Sequence, residues 1–218
     1  MKNQALNTNS PTGIIILAAG ASKRMGKPKQ LLKTGNTSLI ERTINVATHL
    51  PFKPIIAVVL GANFQKIQPI IPLHNNVFVV ENQQWHKGMG TSLKKGLSFL
   101  IQKDPLLQSV IVLVCDQPYL NVKILAQLIE TFEQNKSEII ASKYGDTIGV
   151  PALFSRKVFS DLLKLNKDEG ARKIIKKNRD KVVSIDFEKG IFDLDTPEAY
   201  QQYQRTEARK RDGKLSSD

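Results

Sequence analysis

The sequence predicts a three-layer α/β/α domain built on a mostly parallel, Rossmann-like sheet. The first half of the chain contains short continuous apolar runs at 14–17, 55–60, 77–80 and 110–114. These runs do not alternate with polar residues, which is typical of strands covered on both faces. Segments with helical spacing of apolar residues separate them, and this βαβ alternation favours a parallel sheet with helices on both sides.

Capping residues mark two of the predicted helix starts. Asn121 precedes a strongly periodic segment, and its side chain can accept a hydrogen bond from the first helical turn. Thr196 is followed by Pro197, a residue that suits the first position of a helix. Helices are predicted over 38–50, 91–100, 122–134, 156–165, 168–178 and 196–211.

The strand pattern loosens after residue 135. Two strands, 138–142 and 149–154, are expected near an edge of the sheet, because Pro151 lacks the N–H that a central strand uses. A last strand is predicted over 182–187. The chain shows no internal repeat, so a single domain is the simplest organisation.

Length and composition suit one domain. The 218 residues are 41% hydrophobic, and we expect a disordered segment 1–12, a single domain 13–204 and a basic tail 205–218. No apolar run approaches the roughly 18 residues of a membrane span, and the N-terminus lacks the apolar centre of a signal peptide. One cysteine cannot form an internal disulfide, so a reducing, cytoplasmic location is expected.

The formal net charge of +12 is compatible with a nucleic-acid, membrane-surface or phosphorylated partner. Part of the excess lies in the basic stretches 172–181 and 205–218, which we interpret as a solvated helix face and a frayed tail. Neither stretch has interleaved aromatic residues, and no zinc-finger or RRM pattern is present. Neither a nucleic acid nor a membrane is therefore an expected partner.

The stretch after the first strand predicts a triphosphate site. Residues 13–32 read GIIILAAGASKRMGKPKQLL, and the loop of a parallel strand lies at the sheet edge where ligands bind. Gly20 is expected to let the backbone adopt conformations that other residues avoid, to let a ligand approach the main chain and to free neighbouring N–H groups for an anion. Arg24, Lys27 and Lys29 add positive charge, and arginine can bind phosphate with two parallel bonds.

Two better-known phosphate loops do not match. A P-loop has four residues between its glycines, whereas five separate Gly20 from Gly26, and Pro28 stands where Ser or Thr belongs. The dinucleotide fingerprint fails at 88–93, because Leu93 replaces its third glycine.

The segment LAAGASKRMGKPKQLL resembles the signature of the sugar-nucleotidyltransferase-like superfamily and, within it, of the molybdenum-cofactor nucleotidyltransferases. The resemblance extends in order over roughly 13–204, with Lys167 where the family often has glycine. The other matching segments are NQQWHKGMGTSLKKGL (82–97), VLVCDQPYL (112–120), GVPALF (149–154), DEGARKII (168–175) and FDLDTPEAY (192–200).

The resemblance implies a Mg²⁺-dependent nucleotidyltransferase. A substrate phosphate oxygen attacks the α-phosphorus in line and pyrophosphate leaves, while the protein positions the groups and neutralises charge. The sequences LAAG (17–20) and DQP (116–118) are similar to the cytidylyl branch, which joins CMP to molybdopterin cofactor. The expected partners are CTP, or GTP in the guanylyl alternative, a phosphorylated pterin cofactor and a recipient molybdoenzyme, with the chain acting as a monomer.

Asp116 is the expected metal ligand, because it follows a buried strand and emerges at the same sheet edge as the glycine loop. The alternative is an aspartate that turns the chain before Pro118. Asp193 and Asp195 have the same parity along a predicted strand. The resemblance makes Asp195 the first choice for a second metal ligand and Asp193 the second, although Asp195 can also cap the helix near Pro197.

The catalytic residues expected are Lys29, on the α-phosphate, and Arg24, on the β- and γ-phosphates, together with Asp116. Gly88 and Ser92 resemble the base-recognition turn of the superfamily, and Ser92 can alternatively be a helix cap. The nucleotide-binding residues expected are Leu17, Ala18, Ala19, Gly20, Ser22, Arg24, Lys29, Gly88 and Ser92.

On the substrate side we expect Gln117, Pro151 and Arg172. Arg172 begins a predicted helix and is expected to face the phosphate of the second substrate, or else to form an ion pair with Asp168 or Glu169 at the surface. Three further interpretations concern Trp85, Cys115 and the class of protein. Trp85 is expected to pack rather than stack, Cys115 to be a buried thiol rather than a nucleophile, and a non-catalytic cofactor chaperone is the alternative to an enzyme.

Overall fold

The computed structural model describes residues 10–135 and 137–215, with side chains up to residue 209. Most of the segment 1–12 that we predict to be disordered lies outside the described residues. The first strand already begins at Thr12.

A seven-stranded sheet forms the centre of the molecule. Its strands are β1 (Thr12–Ala18), β4 (Ile56–Leu60), β5 (Val77–Glu81), β6 (Ser109–Val114), β7 (Ile139–Tyr144), β8 (Thr147–Ser155) and β9 (Val182–Asp186). They lie in the order β5-β4-β1-β6-β8-β7-β9. Among the described strands of this sheet, β8 alone runs against its neighbours, so the prediction of a mostly parallel sheet is confirmed. A small hairpin of β2 (Lys33–Thr34) and β3 (Thr37–Ser38) lies apart from them.

Helices cover both faces of the sheet. The described helices are α1 (Leu39–Thr48), α2 (Phe64–Ile67), α3 (Met89–Lys103), α4 (Val122–Asn135), α5 (Phe159–Leu163), α6 (Ala171–Lys177) and α7 (Pro197–Leu215). Alternate residues of β1 point to opposite sides, so that Ile15 belongs to the core under α3, α5 and α6, and Ile16 to the core under α1 and α4. The predicted three-layer α/β/α fold is therefore confirmed.

Strand β8 corrects one prediction, because it lies inside the sheet between β6 and β7 rather than near an edge. Pro151 is tolerated there because its missing N–H falls outside both ladders. Pairing with β6 ends at Ala152. On the other side the register of β7 shifts between Ala141 and Ser142, whose partners are Ala152 and Gly149. A proline at such a bulge removes no ladder hydrogen bond.

Both predicted caps are present. Asn121 Oδ1 accepts a hydrogen bond from the backbone N–H of Ile124 at 3.3 Å, and Thr196 Oγ1 accepts one from that of Ala199 at 3.3 Å. Helix α7 continues to Leu215, so the boundary expected at residue 205 falls inside a helix. Along the described part of the chain, no helix has both the length and the apolar content that crossing a membrane requires.

A third, smaller apolar cluster joins the loop after β1 to the segment before α7. Met25 from the loop after β1 and Leu39 at the start of α1 pack with Leu194 and with Tyr203 of α7. This packing holds the segment before α7 against the loop after β1, although about 170 residues separate them in sequence.

Candidate active site

The loop after β1 turns through two left-handed residues, Ser22 (φ 55°) and Gly26 (φ 70°). Gly20, which we expected to supply that freedom, does not have a positive φ. A Cβ built on it meets nothing within 4 Å. Its contribution is therefore open space in front of the main chain, which favours the close approach of a ligand.

Gln30 holds this loop in place, and sequence reasoning missed it. Its side chain is 1% exposed, and Nε2 donates to the backbone oxygens of Ala18 at 2.8 Å and Gly20 at 3.0 Å. The Ser22 hydroxyl donates to Gln30 Oε1 at 3.4 Å and accepts from the backbone N–H of Lys29 at 3.1 Å. A glutamine within a basic loop gives no sequence signal of such a role.

Lys29 lies between two carboxylates at the mouth of the loop. Its Nζ donates to Asp116 Oδ2 and to Asp195 Oδ1, each at 2.5 Å, and Arg24 Nη2 contacts Asp195 Oδ2 at 2.6 Å. Burial alone lowers the pKa of Lys29, but the charge and hydrogen bond of Asp116 and the hydrogen bond of Asp195 outweigh it and raise that pKa above its ordinary value. The ammonium therefore stays charged between the carboxylates.

The segment that carries Asp195 is not the strand from which we argued its parity. It has no regular secondary structure, and it is held by a hydrogen bond from the backbone N–H of Leu194 to the backbone oxygen of Asp116 at 3.0 Å. Asp195 does not cap α7, because Thr196 does. Partial burial, followed by the charges of Asp195 and Asp116, raises the pKa of Asp193. Asp193 thus lies within the field of both carboxylates.

The pair of Asp116 and Asp195 suits a hard divalent cation. Both carboxylates converge on the ammonium of Lys29, so one small cation can contact both. Within residues 10–135 and 137–215, no group of three or more His, Cys, Asp or Glu side chains is placed to hold a metal ion. A cation here would take its remaining ligands from phosphate and water, as Mg²⁺ commonly does.

A cleft of about 490 Å³ opens in front of these groups, between the loop after β1 and the start of α3. It brings together all the residues that we expect to bind the nucleotide and two of the three expected metal ligands. The predicted residues that line it are Leu17, Ala18, Ala19, Gly20, Ser22, Arg24, Lys29, Gly88, Ser92, Asp116 and Asp195.

The far wall of the cleft is the turn that begins α3. Gly88 has φ 106°, and a Cβ there would collide with the backbone oxygen of Lys167, so the turn packs tightly on the segment before α6. Ser92 is not a helix cap, because α3 already begins at Met89. Its buried Oγ accepts a hydrogen bond from Asn82 Nδ2 at 2.9 Å.

Trp85 and Cys115 both lie at the cleft. Trp85 is half-buried and packs against the core on the α3 side, in agreement with its expected packing role. Burial, reinforced by the charge of Asp116, raises the pKa of the Cys115 thiol to about 12. The thiol is therefore protonated at neutral pH, as expected for a buried cysteine that is not a nucleophile.

Three residues expected on the substrate side do not line the cleft. Gln117 is buried, and its Nε2 donates to the backbone oxygens of Gly190 at 2.9 Å and Val150 at 3.2 Å. Pro151 is buried within β8. Arg172 is exposed, and its Nη2 contacts Thr147 Oγ1 at 3.4 Å.

The surface ion pair considered for Arg172 is absent from the described ion pairs. Glu169 instead contacts Lys173, one turn along α6. That contact, together with the backbone N–H of Asn166, lowers the pKa of Glu169 to about 2.

A family model described as the MobA-like NTP transferase domain matches residues 14–182, which is most of the chain. The chain belongs to the MobA-like NTP transferase family. The matched part of the chain is thus an NTP transferase domain, and the family resemblance recognised in the sequence is confirmed.

Curated relatives match over part of their length. The chain is 27% identical over 145 residues to the bifunctional protein GlmU of Buchnera aphidicola subsp. Schizaphis graminum, which covers 66% of this chain and 30% of GlmU. It is 33% identical over 116 residues to nicotine blue oxidoreductase of Paenarthrobacter nicotinovorans, covering 53% of this chain and 54% of that protein. The chain therefore spans about a third to a half of these relatives.

Solved structures match nearly end to end. A homologue of Mycobacterium tuberculosis Rv0371c from Mycobacterium sp. strain JC1 is 30% identical with a TM-score of 0.76, over 91% of this chain and 98% of that one. Rv0371c of M. tuberculosis in complex with manganese is 26% identical with a TM-score of 0.70, over 89% of this chain and 98% of that one.

Proposed function

We propose that this nucleotidyltransferase transfers CMP from CTP to molybdopterin cofactor, with release of pyrophosphate and with Mg²⁺ as its metal. The observation that carries the proposal is Lys29, held between Asp116 and Asp195 at the mouth of the loop after β1. This arrangement places a phosphate-binding cation beside a pair of metal-binding carboxylates at one point of the cleft. The choice of CTP rests on the sequences LAAG (17–20) and DQP (116–118).

Lys29 and Arg24 bind the triphosphate in this proposal. Lys29 acts on the α-phosphate, where negative charge develops as the acceptor oxygen attacks, and Arg24 holds the β- and γ-phosphates that leave as pyrophosphate. The Arg24 side chain is 72% exposed, so a triphosphate can reach it from solvent. No protein nucleophile is required, which agrees with the protonated, buried thiol of Cys115.

Asp116 and Asp195 would hold the divalent cation, which supplies neutralisation and orientation of the phosphates. Rv0371c, a structural relative, has been solved in complex with manganese. In this chain the ammonium of Lys29 keeps the two carboxylates close to each other, so it is also a positioning residue for the metal ligands.

The nucleotide base would lie against the turn at Gly88 and the first turn of α3. Gly88, Gly90 and Ser92 are small residues within this region, and Gly88 tolerates no side chain. A tight turn of this kind recognises a base edge through main-chain groups. Ser92 is bonded to Asn82, so its contribution is to fix the turn.

The test is pyrophosphate release from purified protein with Mg²⁺, molybdopterin cofactor and each of CTP, GTP, ATP and UTP. We expect release with CTP alone and a loss of at least about a hundredfold in Asp116→Ala, because a metal-binding carboxylate is removed. Asp180→Asn, which removes an exposed carboxylate, is the matched control and should match the wild type.

Each other outcome changes a defined part of the proposal. Release with GTP would keep the mechanism and replace the base specificity. Release that requires another phosphorylated acceptor would keep the mechanism and replace the substrate. Tight cofactor binding without release for any pair would contradict the enzyme and favour the chaperone.

A further inference from the structure

Lys29 and Arg24 contact most of the oxygens that a metal ion at this site would use. The Lys29 ammonium contacts Asp116 Oδ2 and Asp195 Oδ1 at 2.5 Å each, and the Arg24 guanidinium contacts Asp195 Oδ2 at 2.6 Å. Cations of the chain itself therefore contact three of the four oxygens of this carboxylate pair. A divalent cation that coordinates both carboxylates must displace Lys29, because two cations so close to the same oxygens repel each other strongly.

The three side chains at this point are partly buried, so their charges need partners. The exposed fraction is 16% for Lys29 and Asp116 and 22% for Asp195. Solvent screens such charges less than it screens surface charges, and a partly buried ion that loses its partner is costly. The charges in contact, those of Lys29 and Arg24 against those of Asp116 and Asp195, already balance. A divalent cation that arrives alone thus brings an excess of positive charge.

The backbone brings the two carboxylates together independently of the ammonium. The N–H of Leu194 donates to the backbone oxygen of Asp116 at 3.0 Å, which joins the segment of Asp195 to the end of β6. Leu194 is buried in the apolar cluster with Met25, Leu39 and Tyr203. The contribution of Lys29 at this point is therefore neutralisation of the pair, and a metal ion can take that contribution over.

The Lys29 side chain can move while its backbone stays in place. The backbone N–H of Lys29 donates to the Ser22 hydroxyl at 3.1 Å, which ties it to the loop after β1. The ammonium is carried on a flexible four-carbon stem, and Lys29 lines the same cleft as Gly20 and Arg24. A rotation of this one side chain is sufficient to move its charge from the carboxylates to an anion in the cleft.

We propose that the Lys29 ammonium holds the place of the divalent cation and leaves the carboxylates of Asp116 and Asp195 when a metal–triphosphate complex enters the cleft. The inference rests on the metal and the triphosphate of the proposed function, but not on its base or its acceptor. The triphosphate supplies the anion to which Lys29 moves, and the metal ion takes over the carboxylates. Every charge is paired before and after the exchange, so metal and triphosphate strengthen each other's binding.

Manganese binding without any nucleotide tests the competition. Free Mn²⁺ is the probe and is followed by its electron paramagnetic resonance. Lys29→Gln should bind Mn²⁺ at least tenfold more tightly than the wild type, because the carboxylates have lost their resident cation. Addition of Asp116→Asn to Lys29→Gln should abolish the gain. Lys176→Gln, which removes an exposed lysine of α6, is the matched control and should bind Mn²⁺ like the wild type.

Two results of this titration would overturn the inference. The first is Mn²⁺ binding by Lys29→Gln that is equal to or weaker than that of the wild type, which would show that the ammonium does not compete with the metal. The second is a gain in affinity that survives Asp116→Asn, which would show that the gained site lies elsewhere.

Thermal unfolding covers the case in which Lys29→Gln is less stable, since it leaves two partly buried carboxylates unpaired. At Mn²⁺ concentrations well above both dissociation constants, tenfold tighter binding stabilises the variant by about 1.4 kcal/mol more than the wild type. The rise in melting temperature on addition of Mn²⁺ should then be about 2–4 °C larger in Lys29→Gln. A rise no larger than that of the wild type would contradict the competition.

Inorganic tripolyphosphate tests the transfer of Lys29 to the phosphates, because it carries the phosphates of a nucleotide without the base. Its binding with saturating Mg²⁺ is followed by the fluorescence of Trp85, the single tryptophan of the chain, which lines the cleft. Lys29→Gln should weaken this binding at least tenfold, although it strengthens Mn²⁺ binding. A purely structural role of Lys29 would weaken both.

The outcome is independent of the assay for the proposed function. An unchanged affinity for tripolyphosphate in Lys29→Gln, or no binding by the wild type, would overturn the transfer of Lys29. Absence of pyrophosphate release with CTP and molybdopterin cofactor would refute the proposed function instead, because neither compound enters the manganese or tripolyphosphate titrations.

Discussion

Replacement of Gln30 by leucine should destabilise the protein and weaken nucleotide binding together. The side chain is 1% exposed, and the change removes its donors to the carbonyls of Ala18 and Gly20. Ala18 is buried, so its unpaired carbonyl should cost about 1–3 kcal/mol. The backbone at Gly20 is exposed and can bond to water, which limits that loss to about 1 kcal/mol.

The expected loss of unfolding free energy is therefore about 2–4 kcal/mol, measured by urea denaturation of Gln30→Leu. The loop that Gln30 holds carries the N–H groups that we propose to bind the triphosphate, so the Kd for CTP, measured by calorimetry, should rise at least fivefold. Gln127→Leu, at an exposed position of α4, should change the unfolding free energy by less than about 0.5 kcal/mol. A loss below 1 kcal/mol in Gln30→Leu, with unchanged CTP affinity, would refute the reasoning.

Three further predictions concern the elements around the loop. Ser38→Ala should lower the unfolding free energy by about 1 kcal/mol, because Ser38 and Glu41 form a reciprocal cap at α1. The hydrogen bonds from Ser38 lower the pKa of Glu41 below its usual 4.5. The free-energy difference between wild type and Glu41→Gln should therefore have its full value above pH 4.5 and shrink as the pH falls further. Denaturation midpoints of both proteins at pH 7 and pH 3.5 measure this difference. Gly61→Ala should destabilise the protein by about 1–3 kcal/mol and raise the KM for the nucleotide. The new Cβ would lie 2.5 Å from Trp85 Cβ and 2.8 Å from the backbone oxygen of Ala19. An unchanged melting temperature would contradict this prediction.

The sequence predicts the fold well wherever a strand is buried on both faces. Strands β1, β4 and β6 are continuous apolar runs that are buried on both faces. Strand β5 lies at the edge of the sheet and is only partly buried, but its apolar run 77–80 also predicts it. The predicted position of β8 was wrong. The missing N–H of Pro151 affects only one possible hydrogen bond, whereas the order of the strands depends on long-range pairing. The bulge that accommodates Pro151 forms only when β7 lies beside it, and no local pattern predicts that register.

The charged residues of the site follow from the chemistry that a phosphate site needs. Arg24, Lys29 and Asp116 are predictable because cations and a carboxylate follow buried strands at one sheet edge. That Lys29 lies between two carboxylates is not predictable, because Asp195 reaches it from a segment without regular structure. Its place depends on the packing of Leu194 and α7 against the loop after β1.

Two buried glutamines, Gln30 and Gln117, have structural roles that the sequence does not predict. Gln30 ties together two carbonyls of the loop after β1, and Gln117 ties β8 to the turn at Gly190. Each amide donates both of its hydrogens to backbone oxygens, so neither presents its donors to a ligand. The sequence motifs place Gln117 on the substrate side and give no role to Gln30. A glutamine that holds the backbone cannot be distinguished by sequence from one that binds a ligand. The bonds of Gln117 make its role structural: it holds Gly190, whose lack of a side chain leaves room for the ring of Tyr144.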